Sequence, residues 1–209
     1  MNKLEIAIRD ALPRAQQRYS EMTGWWLAHG PESFLQHEIA RNILRTRKAM
    51  VFIEVSPRKI AAEFPTKGRG RTYEAQKRFD LIVWQKSSYR VRAVIEIKRA
   101  WNKKPVLKDA KKMRSYMLHK NAAKTGYVLV YSDTHSARNR SRASDRREHL
   151  TKRFEAWGDR LKKTGWKYID SDAFSPHRKY AQDANGKKIW SWGYVLFRLD
   201  QSKIRARGR

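Results

Sequence analysis

Residues Tyr127–Ser132 read Tyr-Val-Leu-Val-Tyr-Ser, apolar at successive positions rather than at every second one. Because strand side chains alternate between faces, a strand of this kind must be covered on both. Helices on either side of a sheet provide that cover, which restricts the chain to a layered α/β fold. Three earlier runs rich in Val, Ile, Phe and Trp, Met50–Val55, Phe79–Trp84 and Val91–Lys98, supply further strands. Gln85–Arg90 forms a hairpin turn between the last two.

Leu4, Ile8, Ala11, Leu12, Ala15, Tyr19 and Met22 recur with helical spacing. Pro13 either kinks this helix or opens a second one. Pro31-Glu32-Ser33 suits a helical first turn, and the helix it begins runs to about Arg47. Its stripe Leu35, Glu38, Ile39, Asn42, Ile43 sets a carboxylate among core-facing positions. Pro105 precedes another helix, with Val106, Leu107, Ala110, Met113, Tyr116 and Met117 as its apolar positions. The order over about residues 31–132 is therefore α-β-β-β-α-β, a mixed central β-sheet flanked by helices. A helical addition, 1–30, precedes it and a basic addition, 133–209, follows. Within the latter, Thr134–Arg147 reads as an arginine-rich loop, Glu148–Lys163 as a helix, Asp170 and Asp172 as a strand-end loop, Asp183–Gly186 as a turn and Ile189–Leu199 as a strand.

Lys and Arg number 48 against 20 Asp and Glu, a formal net charge of +28. That excess points to a large polyanion as partner. With no cysteine, a disulfide framework, a thiolate zinc site and a cysteine nucleophile are excluded. The longest unbroken apolar runs are five residues, far short of the roughly 20 that span a bilayer. A cytoplasmic protein with no membrane partner is the expectation.

The chemistry gathers on two strands. Arg78, Asp80, Ile82 and Trp84 share one face of the first, and Val94, Glu96 and Lys98 share one face of the next. A hairpin centred on Ser88 sets Asp80 directly opposite Glu96, with Cβ atoms roughly 4.5–5.5 Å apart. Two carboxylates so close repel unless a cation lies between them, and hard oxygen ligands favour Mg²⁺ or Mn²⁺. Lys98, roughly 7 Å along the strand from Glu96, could orient or deprotonate a water or neutralise charge on an attacked phosphate. A structural ion pair is the competing explanation of Glu96, and an i,i+3 pair with Arg41 that of Glu38. The six histidines show no paired ligand spacing.

The run Phe79-Asp80-Leu81-Ile82-Val83 followed by Val94-Ile95-Glu96-Ile97-Lys98 resembles the PD-(D/E)xK nuclease signature. The resemblance, which covers about residues 31–132, implies a restriction-endonuclease-like core with N- and C-terminal additions. It implies that Asp80 and Glu96 hold Mg²⁺ or Mn²⁺ with the backbone carbonyl of Ile97, that Lys98 assists the water, and that Glu38 completes the site. Phe79 stands where the family has proline. Some relatives carry Q-x-x-x-Y on the following helix; Lys112 and Tyr116 keep that spacing with lysine in place of glutamine.

The function implied is a metal-dependent nuclease, a hydrolase of phosphodiester bonds, with DNA favoured over RNA as its substrate. Candidate phosphate contacts are Lys67, Arg69 and Arg71 in a glycine-rich loop, Arg99, Lys103, Lys104 and Lys112 beside the site, and Arg138, Arg140 and Arg142 downstream. Cutting both strands of a duplex often uses two active sites, which makes a homodimer an expectation. The rival reading is a non-enzymatic DNA- or RNA-binding protein on the same fold. Most of the eight tryptophans belong to the core, with Trp25, Trp26 and Trp101 open between core and base stacking.

Overall fold

The computed structural model describes residues 1–24, 27, 30–45, 49–56, 59, 78–85, 90–118, 122–135, 143–174 and 190–206. Helix α1, Lys3–Thr23, opens on a reciprocal cap. The Asn2 side chain accepts from the N–H groups of Leu4 and Glu5 at 2.9 and 3.0 Å, and Glu5 accepts from the Asn2 N–H at 2.7 Å. Pro13 lies inside this single helix, which stops at Gly24 in the left-handed conformation, φ 68°. Helix α2, Glu32–Leu44, packs against α1.

Strands β1 (Ala49–Val55), β2 (Phe79–Gln85) and β3 (Arg90–Arg99) follow, then helix α3 (Lys103–Met117) and strand β4 (Thr125–His135). Helix α4 (Ala143–Lys162), strands β5 (Lys167–Phe174) and β6 (Trp190–Asp200) and the short helix α5 (Gln201–Ala206) complete the elements of the described residues. Among the described elements, the expected α-β-β-β-α-β order runs from α2 to β4. The sheet has six strands in the order β1-β2-β3-β4-β6-β5. Only β3 and β4 run parallel, and α3 is the crossover that parallel pairing requires.

Alternation divides the core into two layers. On one face Leu81, Val83, Ile95, Ile97, Leu129 and Tyr131 pack against Ile8, Leu12, Leu35 and Ile39 of α1 and α2. On the other, Ile82, Val94, Val128, Val130 and Phe197 pack against Val106, Ala110 and Met113 of α3 and Leu150, Phe154 and Trp157 of α4. The double-sided apolar run therefore sits where it must, in the middle of a sheet covered on both sides. Among the described residues, no helix is long and apolar enough to cross a membrane.

Three expectations for the C-terminal stretch change. Asp170 and Asp172 lie within edge strand β5 rather than in a loop; polar alternation hid a strand with one face toward water. The predicted arginine loop is cut short because α4 begins at Ala143, and Arg146, 4% exposed, is a structural side chain whose Nε donates to Ser191. The stretch after residue 132 is also no appendage, since β6 inserts between β4 and β5. Arg138, Arg140 and Arg142, the turn at 183–186 and the loop holding Lys67, Arg69 and Arg71 lie outside the described residues.

One buried pair ties the ends together. Glu5, 1% exposed, takes Arg198 Nη1 of β6 at 2.6 Å and lies 3.4 Å from the Tyr127 hydroxyl of β4. Removing the arginine alone strands a buried carboxylate. We expect Arg198→Met to cost about 3 kcal/mol or more, lowering the thermal midpoint by roughly 6–12 °C, measurable by circular dichroism. A shift under about 2 °C would show the pair to be dispensable.

Candidate active site

The β2–β3 register runs Leu81 with Ile95, Ile82 with Val94 and Val83 with Ala93 before a bulge at Val83/Trp84 shifts it. Continuing that register by one residue brings Asp80 opposite Glu96. The bulge lies on the hairpin side and leaves the expected opposition intact. Asp80 Oδ2 accepts from the Ile97 amide at 2.5 Å, so the aspartate is braced against the neighbouring strand by backbone.

Glu96 is 4% exposed, and Lys112 on α3 supplies its partner, an ion pair with Oε1. Lys112 Nζ also donates to the Arg78 carbonyl at 2.7 Å and lies 4.9 Å from the centre of the Phe79 ring. Lys98 reaches two carboxylates, Glu32 Oε2 at 3.6 Å and Asp109 Oδ2 at 3.8 Å. Glu32 is at the start of α2, and its Oε1 accepts the Arg99 amide at 2.9 Å. Asp109 is on α3, one turn before Lys112; its Oδ2 is buried without a hydrogen-bond partner.

The carboxylates disturb one another. Burial pushes the Glu96 pKa up to about 7, aided by the charge of Asp80 and opposed by Lys112. Asp80 is raised too, by burial against the Ile97 hydrogen bond, with Glu32 adding to the rise. Burial likewise raises Asp109. At Lys98, burial disfavours the charge but Glu32, Asp109, Asp80 and Glu96 together outweigh it, so its pKa rises. Lys98 is thereby a firmly held cation rather than a ready proton acceptor.

Glu38 is elsewhere. Its carboxylate receives Arg18 Nη1 of α1 at 2.9 and 3.0 Å, with Arg41 at 3.9 Å. The buried stripe of α2, Leu35, Gln36, Ile39, Ala40 and Ile43, faces the sheet; Glu38 sits on the flank toward α1, and a cation there absorbs it. Glu32 is the α2 carboxylate that meets Lys98. As a first-turn acid it had an ordinary reading, favourable placement in the helix dipole. Asp109 carried a signal of its own as the sole acid among ten Lys and Arg in residues 98–124. Lys112, expected on phosphate, is spent on Glu96. Arg99 covers the Trp101 ring, while Lys103 and Lys104 are exposed at the start of α3.

Among the described residues, no three His, Asp or Glu side chains are gathered closely enough to hold a metal by themselves. Asp80 and Glu96 offer hard oxygens, both desolvated and both raised by neighbouring negative charge, a donor set that a hard dication suits. Compared with family models, with curated proteins and with solved structures, the chain finds no match.

A carboxyl whose folded pKa exceeds its unfolded one holds its proton more tightly in the native state. The Glu96 contribution to stability is therefore greatest at and below pH 4.5, its ordinary pKa, falls as pH rises to about 7, and is level beyond. Urea denaturation in EDTA should show the stability of Glu96→Gln relative to the parent rising over that window, by on the order of 3 kcal/mol. A difference independent of pH would mean that Glu96 titrates normally.

Proposed function

We propose that the protein is a metal-dependent nuclease on a restriction-endonuclease-like core, hydrolysing phosphodiester bonds of DNA in preference to RNA. The observation that carries this reading is Asp80 opposite Glu96 across β2 and β3, with Lys98 next on the same face of β3. In this reading the Asp80 and Glu96 carboxylates and the Ile97 carbonyl would hold Mg²⁺ or Mn²⁺. The ion supplies Lewis-acid charge at the phosphate and a more acidic water.

The protein's own groups do the rest. The Ile97 amide fixes one oxygen of Asp80 and so orients the other. Lys98, kept protonated, neutralises negative charge developing on the attacked phosphate. Glu32 and Asp109 hold Lys98 from α2 and α3 and are positioning residues. Lys112 neutralises Glu96 and lets a second carboxylate stand beside Asp80 in a desolvated place. The charge of +28 supplies backbone affinity that weakens as salt rises.

A second reading has one observation in its favour: each carboxylate already has an internal partner, Glu96 with Lys112, Asp80 with the Ile97 amide, Asp109 with Lys98 and Glu32 with both Lys98 and the Arg99 amide. A protein so balanced could serve as a basic platform that binds nucleic acid without cutting it. The two part on cleavage. Supercoiled duplex, branched duplex, single-stranded DNA and RNA are incubated with Mg²⁺, Mn²⁺ or EDTA. We expect metal-dependent cutting of DNA, lost by about 100-fold or more in Lys98→Ala with binding retained. Glu32→Gln should slow cutting, and Glu38→Gln should leave it within about twofold. Cleavage by Lys98→Ala at the parent rate would remove Lys98 from the mechanism, and four uncut substrates at enzyme excess would favour the platform.

A further inference from the structure

We propose that Trp101 is a stacking platform for an unpaired DNA base, so that the substrate is held with a nucleotide out of the duplex stack beside the scissile phosphate. The inference deepens the nuclease reading and rests on it for the position of that phosphate. Trp84, Trp157, Trp166 and Trp192 are each at most 5% exposed, whereas Trp101 is 52% exposed. An open indole face of this kind is a flat apolar surface on which an unpaired base stacks.

The ring is open but not loose. Its Nε1–H donates to Asp133 Oδ1 of β4 at 2.6 Å, and Asp133 is itself 4% exposed. The guanidinium of Arg99 stands over it, 4.5 Å from the ring centroid, with a buried Nε that has no hydrogen-bond partner. An aromatic pinned at one edge and backed by a cation spends little ordering entropy when something stacks on it.

Charge selects the ligand. Every charged residue from 99 to 108 is a cation, Arg99, Lys103, Lys104 and Lys108; with Arg99 over the ring face and one carboxylate, Asp133, engaged at its edge, these cations suit a polyanion carrying flat apolar faces. A base inside a duplex hides those faces; an unpaired one offers them. Position fits as well. Trp101 follows β3 at its carboxyl end, where open α/β sheets place their ligands. It is three residues past Lys98, at most about 10 Å of extended chain, close enough for neighbouring nucleotides of one strand to reach both.

Binding in EDTA separates this inference from catalysis. Fluorescence anisotropy would follow a short oligothymidylate, an abasic oligomer of equal length and a blunt duplex against the parent protein, Trp101→Ala and Trp101→Phe. Expected is a roughly 10–100-fold loss for oligothymidylate in Trp101→Ala, less than about twofold for the abasic oligomer and the duplex, and recovery of most affinity in Trp101→Phe. Unchanged oligothymidylate affinity in Trp101→Ala would overturn the platform. So would equal losses on the oligothymidylate and abasic probes, or a Trp101→Phe as weak as Trp101→Ala. Trp101-dependent base binding in a protein that cuts nothing would sustain the platform while the nuclease reading fell.

Discussion

The molecule depends on β3 being covered from both sides. Ala93, Ile95 and Ile97 face the helices α1 and α2, and Val94 faces α3, all four fully buried. That cover fixes which residues of β3 share a side, and the antiparallel register with β2 then decides what stands across from them. Toward the carboxyl end of β3 the apolar layer gives way. Glu96 and Lys98 replace the valine pattern on one face, and α3 answers with Asp109 and Lys112 where it elsewhere presents Ala110 and Met113. The candidate site is a polar gap in a hydrophobic interface, which is why its charges are paired so thoroughly.

Electrostatically the gap is inverted relative to its surroundings. A chain with a net charge of +28 places four carboxylates, Glu32, Asp80, Glu96 and Asp109, against two lysines in one neighbourhood. Positive charge dominates the chain as a whole while acids dominate this one place. The Asp80, Glu96 and Asp109 pKa values all move upward, chiefly because burial strips water from the carboxylates, with nearby negative charge adding to the rise. Lys98 moves in the same direction for the complementary reason, since surplus negative charge holds its proton in place.

What the sequence disclosed followed from periodicity and register. The strand pair bearing Asp80, Glu96 and Lys98 was legible because alternating apolar residues bound its faces, and the sixteen-residue separation of the carboxylates survived a bulge located nearer the turn. Glu38 misled because helical spacing tells which side of α2 is inward but not which neighbour it meets; Arg18, twenty residues earlier, settles that. Glu32 and Asp109 join the site through contacts between distant elements, and Lys112 reads equally well as a phosphate ligand or as a partner for Glu96 until α3 is docked. Strand β5 escaped because an edge strand carrying Asp170 and Asp172 shows little apolar signal.

The insertion of β6 between β4 and β5 bears on how the chain comes to be folded. Eleven residue pairs join β4 to β6 across a gap of more than fifty residues of sequence. As the polypeptide emerges, β4 has its parallel neighbour β3 early but waits on its other side until residues 190–200 are made. A strand apolar on both faces is thus an unprotected edge during synthesis. Such long-range pairing folds slowly, and a nascent chain stalled before β6 would be prone to stick to its neighbours through β4.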